Sequence, residues 1–301
     1  MRIGWGFVAG LVCLSCLPSV AAPEGGVSAG DFAAYWYQGK AELTSYELEQ
    51  ARYGEVHPGH AVLIFVTEDF SRAKQVKLDR PEAAGSDAVK VLKLNFTKKF
   101  NTGVYPYSMM TSVFSPVGPG GDSHALKVTT SSQEWCGHTF SQLNRAGDGY
   151  EGKSFSYFES EGDQSFSLPA AVTEDELWTT IRLDPERLPT GEVELLPGSM
   201  FLRLRHVSWG LAEARASLAD EEDGMKVYTL EYPELGRRLA IRFRAAFPHE
   251  IEGWEETYTS GFGPGAKVLT TRAVRKARLL DPYWIHHDLK DAPLRHQLGL
   301  D

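Results

Sequence analysis

The chain has 301 residues, 42% of them hydrophobic and 24% charged, with a formal net charge of −9. Such a chain has enough apolar content to bury a core, and its length allows one large β domain or two smaller ones. Its acidic balance excludes nonspecific nucleic-acid binding, which needs basic stripes to displace counterions, and electrostatic docking on anionic lipid.

Residues 1–22 read as a signal peptide. Met1-Arg2 gives a positive start, Ile3 to Leu17 is an apolar run too short to span a bilayer, and Ser19-Val20-Ala21-Ala22 offers small residues for cleavage. The expected product is exported, periplasmic or outer-membrane-associated, with no transmembrane segment in the mature chain. A lipid anchor at Cys16 is the alternative processing, although Cys13 stands where such sites usually carry Leu. Cys13 and Cys16 leave with the leader, so Cys136 stands alone and forms no internal disulfide.

Residues 23–301 read as a single β-rich domain. Pro23 to Val27 is a Gly-rich tether, and Ser28 to Tyr37 predicts a short helix with Ser28 as cap. Lys40 to Tyr53 favours a strand, with turns expected at Gly54 and at His57-Pro58-Gly59. His60 to Glu68 is a β-branched and aromatic strand. Leu92, Leu94 and Phe96 alternate with Val91, Lys93 and Asn95, which gives a strand with one wet side. Further strands are expected over Gly103 to Val113, His124 to Ser132, Thr139 to Leu143 and Lys153 to Glu159.

One helix is expected after Thr173, which can cap it with Glu176 three residues on, while Leu177, Trp178 and Ile181 share a face. It lies in residues 170–192, where a two-half organisation would place its boundary, and it reads as a plug in the sheet. Beyond it, Met200, Leu202, Leu204 and His206 alternate with Phe201, Arg203, Arg205 and Val207 as a strand would. A hairpin is expected around Pro233-Glu234-Leu235-Gly236, with strands over Glu250 to Tyr258 and Lys267 to Leu279, and a short helix through Tyr283 to Asp288. Many strands without βαβ alternation predict a mainly β protein: a large antiparallel, strongly curved sheet or open β-barrel with one or two short helices.

Residues Glu134 to His138 crowd a carboxylate, an indole, a thiol and an imidazole together. On a continuous strand Glu134, Cys136 and His138 would share a face, with His138 as base and Glu134 orienting it. That constellation is the catalytic candidate, for an exported thiol-dependent hydrolase or transferase. Against it stand the absence of thiol-hydrolase signatures and the tendency of Cys to be buried. No metal site is expected, because the adjacent His286 and His287 would face opposite ways and the mature chain lacks Cys-x-x-Cys or His-x-x-x-His spacing. Nor is any cofactor. Glu159, Glu161 and Asp163 read as a solvated turn, and the set Arg203, Arg205, Arg242 and Arg244 either as a binder of an anionic group or as a wet sheet face paired with Glu across strands, the second reading ahead.

A ligand-binding set is also expected. Trp135, Tyr105, Tyr107 and Trp254 would supply apolar contact inside the curled sheet, and Arg203 and Arg205 an anionic anchor. The first functional reading is therefore a non-enzymatic exported β protein binding a hydrophobic, lipid-like or other small amphiphilic ligand, or an envelope protein partner. A purely structural envelope component is the third reading.

Several stretches together, Tyr35 to Glu42, Ala51 to Glu55, Val66 to Phe70, Asn101 to Ser108, Gln133 to His138, Tyr157 to Gly162, Leu188 to Gly191 and Ile251 to Glu256, span nearly the whole mature chain. They resemble a group of exported bacterial proteins, common in Bacteroidetes, that often carry the label septum formation inhibitor Maf. The label implies a cytosolic nucleotide pyrophosphatase with an α/β fold. This sequence departs from that pattern in its leader, its strand texture and its lack of a Ser/Arg/Glu-rich phosphate motif near the start. The resemblance transfers no catalytic residue.

Overall fold

Strand follows strand from residue 41 to residue 155 with little between them. The computed structural model describes residue 1 and residues 29–118 and 124–300; the expected leader, the tether and the Ser28 cap lie outside the described residues. Helix α1 (Ala29–Trp36) leads into β1 (Ala41–Arg52), β2 (Glu55–Ser71), β3 (Ala88–Thr102), β4 (Tyr105–Pro116), β5 (Lys127–Glu134), β6 (Gly137–Ala146), β7 (Gly149–Phe155) and β8 (Gln164–Leu168). The second half holds β9 (Val172–Thr173), α2 (Glu174–Leu183), β10 (Gly191–Leu196), α3 (Ser199–Arg205), β11 (Ala212–Glu221), β12 (Met225–Tyr232), β13 (Arg237–Arg244), β14 (Ile251–Ser260), β15 (Lys267–Asp281) and α4 (Pro293–Gln297).

All fifteen strands form one sheet, ordered β8-β7-β6-β5-β4-β3-β2-β1-β15-β14-β13-β12-β11-β10-β9. Neighbours are antiparallel except the short β9–β10 pair. The first and last strands meet at the centre, Leu43 opposite Leu279 and Leu48 opposite Ala273, so both halves share the sheet. The two edges, β8 and β9, are consecutive in the chain and separated by three residues. Such a link spans no more than about 14 Å, so the sheet curls back until its edges nearly meet. The result is an open, barrel-like wall, as the strand texture predicts.

The concave side is packed with helix. Leu177, Trp178 and Ile181 of α2 are buried among Tyr46, Leu63, Phe65, Leu94, Phe96 and Trp254. Trp178 meets Trp254 edge-on at 5.3 Å and Phe96 at 5.0 Å, and Trp254 also meets Tyr46 at 4.9 Å. The expected cap is present, with Glu176 N donating to Thr173 Oγ1 at 3.2 Å. The sheet surrounds α2, so its polar side is buried as well and must find charge partners. Arg182 donates to both oxygens of Glu42 on β1, at 2.5 and 2.7 Å. Arg237 on β13 joins Glu174 at 2.7 Å and Glu256 on β14 at 2.8 Å. Glu176 accepts from Ala125 N at 2.8 Å and His124 at 2.9 Å. Helix α2 is thus a plug tied to both halves of the sheet.

Two local expectations are corrected. Residues 199–205 form helix α3, not a strand: Ser199, Met200, Phe201, Leu202 and Leu204 are all buried, so apolar residues occupy every side and the alternation carries no period. The turn expected at His57-Pro58-Gly59 lies within β2, where Gly59 pairs with Leu48 and Phe100. A side chain at Gly59 would strike the Lys99 carbonyl, which explains a glycine inside a strand. The true turn is Tyr53-Gly54, both at positive φ, the two-residue geometry that matches strand twist.

The convex side carries a second, smaller cluster. Leu298 and Leu300, beyond α4, pack on Leu43, Val62 and Val66, so the C-terminal segment lies across the outside of the central strands.

Candidate functional site

Of the sequence-predicted catalytic and ligand-binding residues only Arg203 lines the cavity at one mouth of the wall, where β5, β6, β7 and the end of α3 come together. A cavity of about 290 Å³ opens there, lined among others by Thr130, Thr139, Ser141, Ser154, Arg203 and Trp209. Because β5, β6 and β7 point alternate side chains inward, small hydroxyl residues at those positions leave space that α3 does not fill.

Arg203 is the fixed centre of the cavity, its side chain only 9% exposed. Its Nε donates to Thr139 Oγ1 at 3.1 Å, and its guanidinium lies 4.5 Å from the centre of the Phe158 ring. Glu161 stands 3.8 Å from one terminal nitrogen and Glu134 4.0 Å from the other. Burial lowers the Arg203 pKa below the usual guanidinium value, opposed by the charge of Glu161. His206 ends α3 in the left-handed conformation, and Val207 N closes that end by donating to Leu202 O at 3.0 Å. This turn aims His206 Nδ1 at Glu161. Burial raises the Glu161 carboxyl, but hydrogen bonds from Ser156 and His206 more than offset it, and its net shift is downward.

Cys136 occupies a two-residue turn between β5 and β6, where Glu134 pairs with Gly137. That turn corrects the shared-face expectation. Glu134 points inward and is buried, Cys136 is exposed at the tip, and His138 stands exposed on the other side. The Cys136 backbone N–H donates to Glu134 Oε2 at 2.7 Å. Hydrogen bonding to the Glu134 carboxylate, helped by burial, pushes the thiol pKa up, the opposite of activation. Tyr105 and Arg52 act on the thiol in the opposite, lowering sense. Gly137 is there for close approach, since a side chain would strike the Tyr157 ring.

The ligand set divides. Trp135 is 70% exposed on the hairpin tip. Tyr105 is half-buried at the rim, and Tyr107 is buried and stacked on Phe100 at 4.8 Å. Tyr105 OH donates to Tyr53 OH at 3.2 Å, Tyr53 and Tyr107 hydroxyls lie 2.8 Å apart, and Arg52 donates to both Tyr53 and Tyr107. These bonds and the Arg52 guanidinium, 4.1 Å from the Tyr53 ring centre, hold Tyr53 at a φ of 54°, unusual for a bulky residue. Arg52 also donates to the Leu204 carbonyl, tying this tyrosine cluster to α3. Arg205 turns away from the cavity toward Gly261 O at 3.3 Å, because residues i and i+2 diverge by about 200° on a helix whereas on a strand they align. Trp254 is 2% exposed within the core and is a packing residue, which corrects its ligand role.

Sequence reasoning missed Glu161, read as part of a solvated turn, and the inward hydroxyls of Thr130, Thr139, Ser141 and Ser154. The only signal was their period of two within β5, β6 and β7. Arg242 and Arg244 do stand on the wet face, with Glu221 and Glu252 as partners. Among the described residues, no group of three His, Cys, Asp or Glu side chains is placed to hold a metal ion, and no helix is long and apolar enough to cross a membrane.

No family model matches the chain, and no curated protein matches it. It is similar to one solved structure, a β-barrel-like protein of domain of unknown function DUF1849 from Brucella abortus. The identity is 8%, the TM-score 0.45, and the match covers 80% of this chain and 98% of that chain. A likeness at that level transfers no residue or role to the cavity.

Proposed function

We propose that this is an exported, non-enzymatic β protein that binds a small amphiphilic ligand in the mouth cavity. The leader-like residues 1–22 support export. The observation that carries the binding reading is Arg203, almost fully buried yet facing a cavity of about 290 Å³ lined by hydroxyl side chains. That volume lies at the lower end of small-molecule sites.

The charge arrangement selects the ligand. Arg203 is already flanked by Glu134 and Glu161, and with Arg52 also acting on it the cluster balances, so no unanswered cation is left for an anion. A neutral, hydroxyl-bearing ligand of about sugar size fits better. Its hydroxyls would meet Thr139, Ser141 and the Arg203–Glu161 pair, and its apolar face Trp209 and Leu202. The anionic anchor expected of Arg203 and Arg205 is given up, because one arginine is neutralised and the other points elsewhere.

Native mass spectrometry of the protein purified gently from its own source tests the proposal. The expected result is a discrete added mass of a polyol or sugar-like compound that denaturation releases. Trp209→Ala and Arg203→Ala each strip that mass. A bare protein that also fails to quench Trp fluorescence with a panel of neutral mono- and disaccharides overturns it, as does a bound mass untouched by both variants.

A further inference from the structure

The convex face holds a second opening, of different chemistry. Where the C-terminal segment crosses the central strands, a groove of about 380 Å³ remains between them. Its floor is Leu43 of β1, Val62 and Ile64 of β2 and Leu279 of β15, and its roof is Tyr283, Leu294, Leu298 and Leu300. The aliphatic floor follows from register: Leu43 sits opposite both Ile64 and Leu279, so one face of three adjacent strands is apolar at the same level.

The two ends of the groove differ in sign. At one end His60 on β2 stands directly opposite Lys99 on β3, and Arg295 of α4 closes over them. Lys276 on β15 is near enough to act on His60 as well, and burial together with these three cations lowers the His60 pKa. None of Lys99, Arg295 and Lys276 has a carboxylate within 4 Å among the described residues; Lys276 donates only to the Gly299 carbonyl. Glu47, opposite His60 on β1, is the one acid in that row, which leaves the end net positive. At the other end Asp281 and Asp291 flank His286, at 3.1 and 3.7 Å. The positive row at His60 and the level of Val66 are six residues apart on β2, about 20 Å, with apolar floor between.

We propose that this groove binds a single-chain anionic amphiphile of the fatty-acid kind, its carboxylate at Lys99 and Arg295 and its chain laid along Val62, Ile64, Leu279 and Leu294. Charge complementarity selects both the ligand and its direction: cations with no carboxylate partner among the described residues attract the head at one end, and Asp281 and Asp291 repel it from the other. An uncharged chain would gain the apolar contact but leave the cations unanswered. The site is separate from the mouth cavity and takes the opposite ligand class.

Calorimetric titration with dodecanoate, beside dodecanol of the same length, tests the assignment. Dodecanoate is expected to bind one to one and dodecanol far more weakly. Lys99→Glu and Arg295→Glu, both at exposed positions, each weaken dodecanoate about tenfold, the effect of one charge-assisted contact. Arg215→Glu, an equal change of charge at an exposed residue of β11, leaves binding unchanged. Leu294→Trp fills the groove and abolishes binding. Absent binding, dodecanol as tight as dodecanoate, or no loss in both charge reversals overturns the proposal. A dimer in sedimentation that dodecanoate does not dissociate overturns it too, by assigning the groove to a second copy.

Discussion

Glu134 governs its neighbourhood through one carboxylate with three dependants: it accepts from the Cys136 backbone, raises the thiol pKa and helps hold Arg203. Replacing it by Gln removes the charge that disfavours thiolate. Alkylation of Cys136 by iodoacetamide at mildly alkaline pH is therefore expected to run faster in Glu134→Gln than in the parent. An unchanged rate would mean that Glu134 does not control the thiol. Arg237 plays the corresponding part inside the plug. With Glu174 and Glu256 both at hydrogen-bond distance and all three buried, Arg237→Leu takes the shared guanidinium from two buried carboxylates. Urea unfolding is expected to show a loss of about 3–5 kcal/mol. Lys98, also buried and 3.9 Å from Glu256, leaves that carboxylate one cation, so the loss falls chiefly on Glu174.

At the scale of elements, α2 decides whether the sheet has an interior. Its cap is worth about 1 kcal/mol, so Thr173→Ala should lower stability by that amount in denaturant titration. Asp175, in the first turn, accepts from Ser199 N at 3.0 Å and links α2 to α3. Burial pushes its carboxyl up to about 6 from an ordinary 3.8. Between those values the folded protein holds a proton that the unfolded chain has released. Stability from this group is therefore full below pH 4 and falls as pH rises to about 6, by about 3 kcal/mol at most. Glu42 and Glu256 act in the opposite sense, since their pKa values are lowered on folding and their contribution is lost in acid. The difference in unfolding free energy between Asp175→Asn and the parent isolates the Asp175 share. It is expected to move in favour of the variant from pH 4 to pH 6, and a flat difference would contradict the shift.

The whole molecule is built around a seam that joins its ends. Strands β1 and β15, more than two hundred residues apart, pair at the centre, while β8 and β9 lie at the margins. Protection from hydrogen exchange is therefore expected to be greatest in β1, β2, β14 and β15 and least in β8. Equal protection at β8 and β1 would show that the margin is sealed. The same seam makes folding depend on distant contacts, which slows it.

The β-branched and aromatic run at residues 60–68, alternation along residues 89–96, the capped pattern at Thr173 and the lack of βαβ rhythm were enough to determine a curved antiparallel sheet plugged by a helix. These are local signals, carried by residue type, side-chain period and capping along one element at a time. The identity of α3 was not legible, because a helix buried on all sides loses its amphipathic period. Cys136, Glu134 and Arg203 were legible as a chemically dense set, yet their arrangement was not. A two-residue turn at Trp135-Cys136 sends His138 to the opposite face, and two helical steps, about 200°, part Arg205 from Arg203. The partners that matter for the cavity, Glu161 and the inward hydroxyls, come from segments far from Arg203 in the chain, and so do the cations of the outer groove. Only tertiary packing decides which distant side chains share a space, because the energy that selects them is the burial of whole faces and not the preference of any one residue.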